Sequence, residues 1–206
     1  FIMVKTTYGA KKTASSHKKV HTKKAGFRDT RTHISTSDMS KLLKETYRKG
    51  KGANEDVGNY KIDKELSTGR TKVYYDPTTG KTVVAHRGSQ NLQDWKENVN
   101  YMLGINKPGK AFKKSKKVQE AAEKKYGTQN IEAIGHSKGA LHAQKYGKKG
   151  DIVTLNKPVA IHDLRYKVPE YQTDYRGEGD IVSILRPYQR GKKEVLLKEK
   201  GPTLLK

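Results

Sequence analysis

Residues 131–146, Ile-Glu-Ala-Ile-Gly-His-Ser-Lys-Gly-Ala-Leu-His-Ala-Gln-Lys-Tyr, restrict the possible folds more than any other stretch. The apolar run 131–134 reads as a short strand, and residues 140–146 carry helical spacing. Between them lies Gly135-His136-Ser137-Lys138-Gly139, a G-x-S-x-G pentapeptide. A strand, a sharp turn and a helix in that order make a nucleophile elbow. Its glycines admit a turn too tight for side chains. Ser137 then takes a strained conformation with its hydroxyl exposed at the helix N-terminus, where the dipole favours developing negative charge. The competing reading is an ordinary Gly-rich strand-to-helix turn with a solvent-facing serine. The pentapeptide alone does not separate the two; its strand and helix flanks favour the elbow.

The surrounding chain is polar. With 33% of 206 residues hydrophobic, it has enough apolar material for one domain with a compact core, and a second full domain is not expected. There is no cysteine, which excludes disulfides and thiolate metal sites and fits a reducing compartment or a particle assembled in the cytosol. No apolar run approaches the ~18 residues of a membrane-spanning helix. The opening Phe1-Ile2-Met3-Val4 is too short for a signal-peptide core, and a start at Phe fits a processed product or part of a longer chain. The net charge is +23, unevenly spread: residues 1–50 hold 13 basic against 3 acidic residues, whereas residues 151–206 hold 11 against 8. Such a chain seeks polyanions, whether nucleic acid, an anionic membrane surface or an acidic protein, unless the charge serves only solubility.

Residues 1–33 read as a basic, extended arm without helical or strand period, ordered only on a partner. His17, His21 and His33 lack metal-site spacing there, and no cofactor is expected. Residues 34–206 read as a single domain. Ser37 is the expected N-cap of a helix with Met39, Leu42, Leu43 and Tyr47 on one face, ended by Gly50 and Gly52. Tyr60 and Ile62 mark a weak strand. Residues 71–76 and 81–86, joined by Asp76-Pro77-Thr78-Thr79-Gly80, predict a β-hairpin. Trp95 and Val99 share a helical face in the polar stretch that follows. Residues 111–126 predict a strong helix with Phe112, Val118, Ala122 and Tyr126 as its apolar stripe and Gly127 at its end. Its lysines at 113, 114, 116, 117, 124 and 125 read as a solvated face rather than a nucleic-acid-binding one, since neither stacking aromatics nor a helix-turn-helix context accompanies them. Further strands are expected at 151–155, 171–176, 181–185 and 194–197. Strands alternating with helices predict a mainly parallel α/β sheet with its ligand at the carboxyl ends of the strands.

Three stretches, taken in order, resemble class 3 lipases. Thr82-Val83-Val84-Ala85-His86-Arg87-Gly88-Ser89, with Asp94-Trp95 after it, is similar to the family's strand, R-G-[ST] loop and D-W. Ile134-Gly135-His136-Ser137-Lys138-Gly139-Ala140 resembles its G-H-S-L-G-[AG] elbow. Gly179-Asp180-Ile181-Val182-Ser183-Ile184-Leu185-Arg186-Pro187 is similar to its D-x-V-P-x-L-P segment, and Asn156-Lys157-Pro158 is a looser echo of a proline-containing loop. The resemblance covers about residues 55–190. It implies an α/β-hydrolase fold and a serine hydrolase acting on carboxylic, lipid-type esters. Ser137 would be the nucleophile and Asp180 the acid that orients an imidazole. The backbone N–H groups of Lys138 and Ser89 would form the oxyanion hole. Taken singly, Asp180 also reads as a turn or capping aspartate and Ser89 as a Gly-Ser turn.

The chain departs from that pattern in three places. The expected order is Ser, Asp, His, yet the last histidine is His162, so the base either lies beyond Lys206 or is missing. His86, His136, His142 and His162 read as poor substitutes. Lys138 stands where the family has an apolar residue, and a Ser–Lys dyad is disfavoured because adjacent elbow residues point apart. The run after Trp95 turns lysine-rich where an apolar lid is expected, favouring an esterase or phospholipid-directed hydrolase over an interfacial triglyceride lipase. A fainter resemblance is to lipase-like proteins of large DNA viruses. It implies a location inside a cell or a virus particle, with the 1–33 arm docking acidic protein or nucleic acid. The alternative function is therefore a non-catalytic structural protein, such as a minor capsid component, on a lipase scaffold within a larger assembly.

Overall fold

Among the described residues, short strands separated by turns and helices build a seven-stranded sheet in which every strand lies beside its neighbours in sequence. The computed structural model describes residues 34–89, 110–147, 150–159, 163–164, 167–177 and 194–197. The expected 1–33 arm, Asp94, Trp95, the 181–185 strand, His162 and Asp180 lie outside the described residues. The strands are β1 (Lys61–Ile62), β2 (Thr71–Tyr75), β3 (Thr82–His86), β4 (Ile131–His136), β5 (Asp151–Leu155), β6 (Gln172–Gly177) and β7 (Glu194–Leu197). β1, β2 and β3 pair antiparallel; β3 through β7 pair parallel. The helices are α1 (Thr36–Glu45), α2 (Lys110–Tyr126) and α3 (Lys138–Tyr146). None of the described helices is long and apolar enough to cross a membrane.

Side chains alternate across the pleat, so each strand feeds two cores. On one face Tyr74, Val83, Ala85, Ile134, Val153 and Leu155 pack against Met39, Leu42 and Leu43 of α1. On the other, Val73, Val84 and Ile131 meet Val118 and Ala122 of α2, while Ala133 and Ile152 meet Ala143 of α3. Leu42 and Leu43 are almost wholly buried, and each contributes roughly 1.5–3 kcal/mol by leaving water. That burial holds the short α1 against β3 and β4.

The β2–β3 turn forms as expected: Asp76 N–H donates to the Lys81 carbonyl, and the Asp76 carboxylate accepts from the N–H groups of Thr78 and Thr79. The lysines of α2 at 113, 114, 116, 117, 124 and 125 are exposed. Two boundaries of α1 differ from expectation. The cap is Ser35, not Ser37: its Oγ accepts from Asp38 N–H at 3.0 Å and donates to the Asp38 carboxylate. This reciprocal cap, with the acid at the positive helix end, outcompetes a start two residues later. The helix also stops at Glu45, before the glycines, and Thr46 Oγ1 turns back onto the Leu43 carbonyl. Tyr47 consequently lies past the helix end rather than on its face.

Candidate active site

The carboxyl ends of β3, β4 and β5 meet at Ser137. β4 delivers it directly, α3 begins at the next residue, and the backbone takes φ 53° and ψ −127°. Positive φ is costly for a residue with a Cβ. Two constraints hold it. Ser137 N–H donates to the Leu155 carbonyl at 2.9 Å, and its own carbonyl accepts from Ala140 N–H at 2.9 Å. The flanking glycines are obligatory: a Cβ on Gly135 would overlap the Gly139 carbonyl, and one on Gly139 would fall on the His86 carbonyl. Strand β3 and helix α3 therefore touch backbone to backbone beneath the serine. The Ser137 side chain makes no capping bond into α3. Lys138 is the first residue of α3, where N–H groups have no partner within the helix. Its side chain is buried rather than projecting into solvent.

The chain leaving β3 runs against the elbow. A Cβ on Gly88 would stand 3.0 Å from Ser137 Cβ and 2.8 Å from the His136 carbonyl oxygen. Ser89 follows at once, half-buried, so the structure brings Ser89, Ser137 and Lys138 into one neighbourhood. On the far side, Asn156 follows β5 with φ 49°, and its Oδ1 accepts from Gly177 N–H at the end of β6 at 2.8 Å. Asn156 thus ties together the two strand ends next to the elbow.

The described histidines divide by face. His86 is fully buried under α2, with Nδ1 3.2 Å from Thr71 Oγ1 and Nε2 3.2 Å from Gln119 Oε1. Burial pushes its pKa down to about 4, so it is neutral at pH 7. His142 lies on α3, stacked on Phe112 at 4.0 Å between ring centroids, and both its ring nitrogens are buried without partners. Burial pushes its pKa far below the usual histidine range. Both are packing groups. His136 turns to the opposite face, where its Nδ1 lies 2.7 Å from the Tyr47 hydroxyl. Tyr47 also accepts from Gly88 N–H at 2.9 Å. Sequence reasoning placed Tyr47 in an apolar helical stripe and missed it here; a tyrosine at helical spacing gives no signal that the chain turns before reaching it.

No protein-family model matches this sequence, and no curated protein matches it. Among solved structures, one of a fungal lipase–inhibitor complex that served as a model for interfacial activation is similar, with a TM-score of 0.51 over 73% of each chain at 16% identity. The fold is that of a lipase-like α/β-hydrolase. The Rhizomucor miehei lipase–propeptide complex is also similar, with a TM-score of 0.50 and 15% identity over 76% of this chain and 66% of that one. At such identities, what this chain shares with lipases is the course of the backbone.

Proposed function

We propose that this domain is a serine hydrolase of carboxylic esters, with lipid esters as the substrate class and Ser137 as the nucleophile. The observation that carries the reading is the strained Ser137 at the carboxyl edge of a parallel sheet, with the end of β3 packed against its Cβ. A serine hydroxyl is a weak nucleophile unless a base takes its proton. In the reaction, the Ser137 oxygen bonds to the ester carbonyl carbon as its proton passes to an imidazole oriented by Asp180. The resulting oxyanion is held by the N–H groups of Lys138 and Ser89. Removing one such donor costs roughly 3–4 kcal/mol of transition-state stabilisation. Collapse breaks the bond to the alcohol, which leaves with the proton; water then repeats the sequence and releases the acid.

His86 and His142 serve packing, and the Nδ1 of His136 is engaged by Tyr47, so we assign the base to a residue outside those described. The fold likeness to lipases supports a lipid-type ester, and the basic surface suits anionic headgroups. The test is labelling with a fluorophosphonate probe followed by peptide mapping. The full-length protein is expected to carry one adduct on Ser137, and Ser137→Ala to carry none. Equal labelling of the two proteins, or an unlabelled native protein, sinks the reading.

A further inference from the structure

We infer that Tyr47 is a positioning residue of this site: its hydroxyl clamps the end of β3 to the elbow and sets the spacing between Ser89 and Ser137. The inference rests on the hydrolase reading above. A phenol can accept and donate at once. Here it accepts from Gly88 N–H at 2.9 Å and lies 2.7 Å from His136 Nδ1, to which it can donate its proton. The two residues so joined, Gly88 and His136, immediately precede Ser89 and Ser137 in the chain. Gly88 lies two residues past β3 and His136 ends β4; the two are bridged from beyond the end of α1. The edge-on contact of the Tyr47 and His136 rings, 5.8 Å between centroids, fixes the phenol further.

The packing leaves no slack at this point. A Cβ on Gly88 would come within 2.7 Å of the Tyr47 hydroxyl and 2.8 Å of the His136 carbonyl oxygen. Three pieces of chain therefore converge on Gly88, and Tyr47 supplies a side-chain hydrogen bond to its N–H. Burial raises the Tyr47 pKa to about 12, so the donor proton persists across the working pH range. Reaction rates respond steeply to such spacing: a misplacement of about 1 Å can cost about a hundredfold.

The test uses Tyr47→Phe, which removes one oxygen and keeps the ring, in the full-length protein. The first readout is the imidazole 15N spectrum of His136. Losing the donor is expected to shift the Nδ1 resonance and redistribute the proton between the ring nitrogens; an unchanged spectrum overturns the clamp. The second is the rate of fluorophosphonate labelling at Ser137 per folded molecule, expected to fall about tenfold. A variant that melts earlier but labels at the native rate overturns the positioning role and leaves Tyr47 a structural residue. If native Ser137 is not labelled at all, the hydrolase reading fails and takes the positioning role with it, while the nitrogen spectrum still reports whether the clamp exists. Tyr47→Leu serves as the companion variant: it keeps burial without the hydroxyl and is expected to match Tyr47→Phe in labelling per folded molecule.

Discussion

His86 and His136 end neighbouring strands, yet they face opposite sides of the sheet, because His86 pairs in register with Gly135 rather than with His136. On the α2–α3 face, His86 bonds to Thr71 and Gln119, and His142 stacks on Phe112. Both rings are sealed from water and held neutral. On the α1 face, His136 is joined through Tyr47 to the chain beside the nucleophile. The same residue type fills a core on one side and braces the site on the other. The difference comes from the pleat and from which helix lies above it. A histidine near a serine in sequence is therefore weak grounds for assigning a base.

This contrast predicts separable effects. The largest is expected from Gly88→Ala, whose methyl group would press on Tyr47, His136 and Ser137 together. Ser137 labelling should slow about a hundredfold, while chemical denaturation reports a loss of about 1–3 kcal/mol. A native labelling rate would mean that β3 and the elbow need not be held at this spacing.

Next is Glu132, on the α1 face. Its carboxylate accepts Ile34 N–H at 3.0 Å, and burial raises its pKa to about 7. The folded state therefore holds this proton more tightly than the unfolded chain. Stability falls as pH rises from about 4.5, the ordinary carboxyl value, to about 7. Glu132→Gln keeps an acceptor for Ile34 and should flatten that slope, gaining up to roughly 2–3 kcal/mol at neutral pH. Denaturation midpoints measured across this range give the answer, and an unchanged slope refutes the assignment.

The smallest effect at neutral pH belongs to the other face. His142→Leu removes two buried, unpartnered ring nitrogens and is expected to stabilise by about 1 kcal/mol. The native pKa is depressed, so the unfolded chain binds the extra proton and native stability drops as pH falls below about 6.5. The gain from His142→Leu should accordingly grow on acidification, with Ser137 labelling unaltered. A slowed label would break the division between the faces.

Local signals carried far in this chain. The turn at Asp76, the stripe of α2 and the pattern around Ser137 are each encoded within a few residues, and each forms where expected. Tyr47 was not legible, because its role depends on where α1 stops and on a sheet far along the sequence. The apolar spacing that begins just after Ser37 points to that residue as the cap. The hydrogen bonds of Ser35 with Asp38 decide otherwise. Glu132 hid inside an apolar run: period alone does not tell whether a carboxyl in a strand meets solvent or a buried backbone N–H. Asp180 remains a reading by resemblance.

The sequential strand order has a kinetic consequence. The β2–β3 hairpin and the steps from β4 to β6 close over short stretches of chain, whereas β3 reaches β4 only after the long excursion that includes α2. Loop closure over greater separation is slower. Gly88 and Ser137 sit on either side of this seam, so their meeting requires the slowest pairing in the sheet. A nascent or partly folded chain would carry its hairpin and its Ser137 helix while still lacking a working nucleophile. Competence at Ser137 would thus report completed folding.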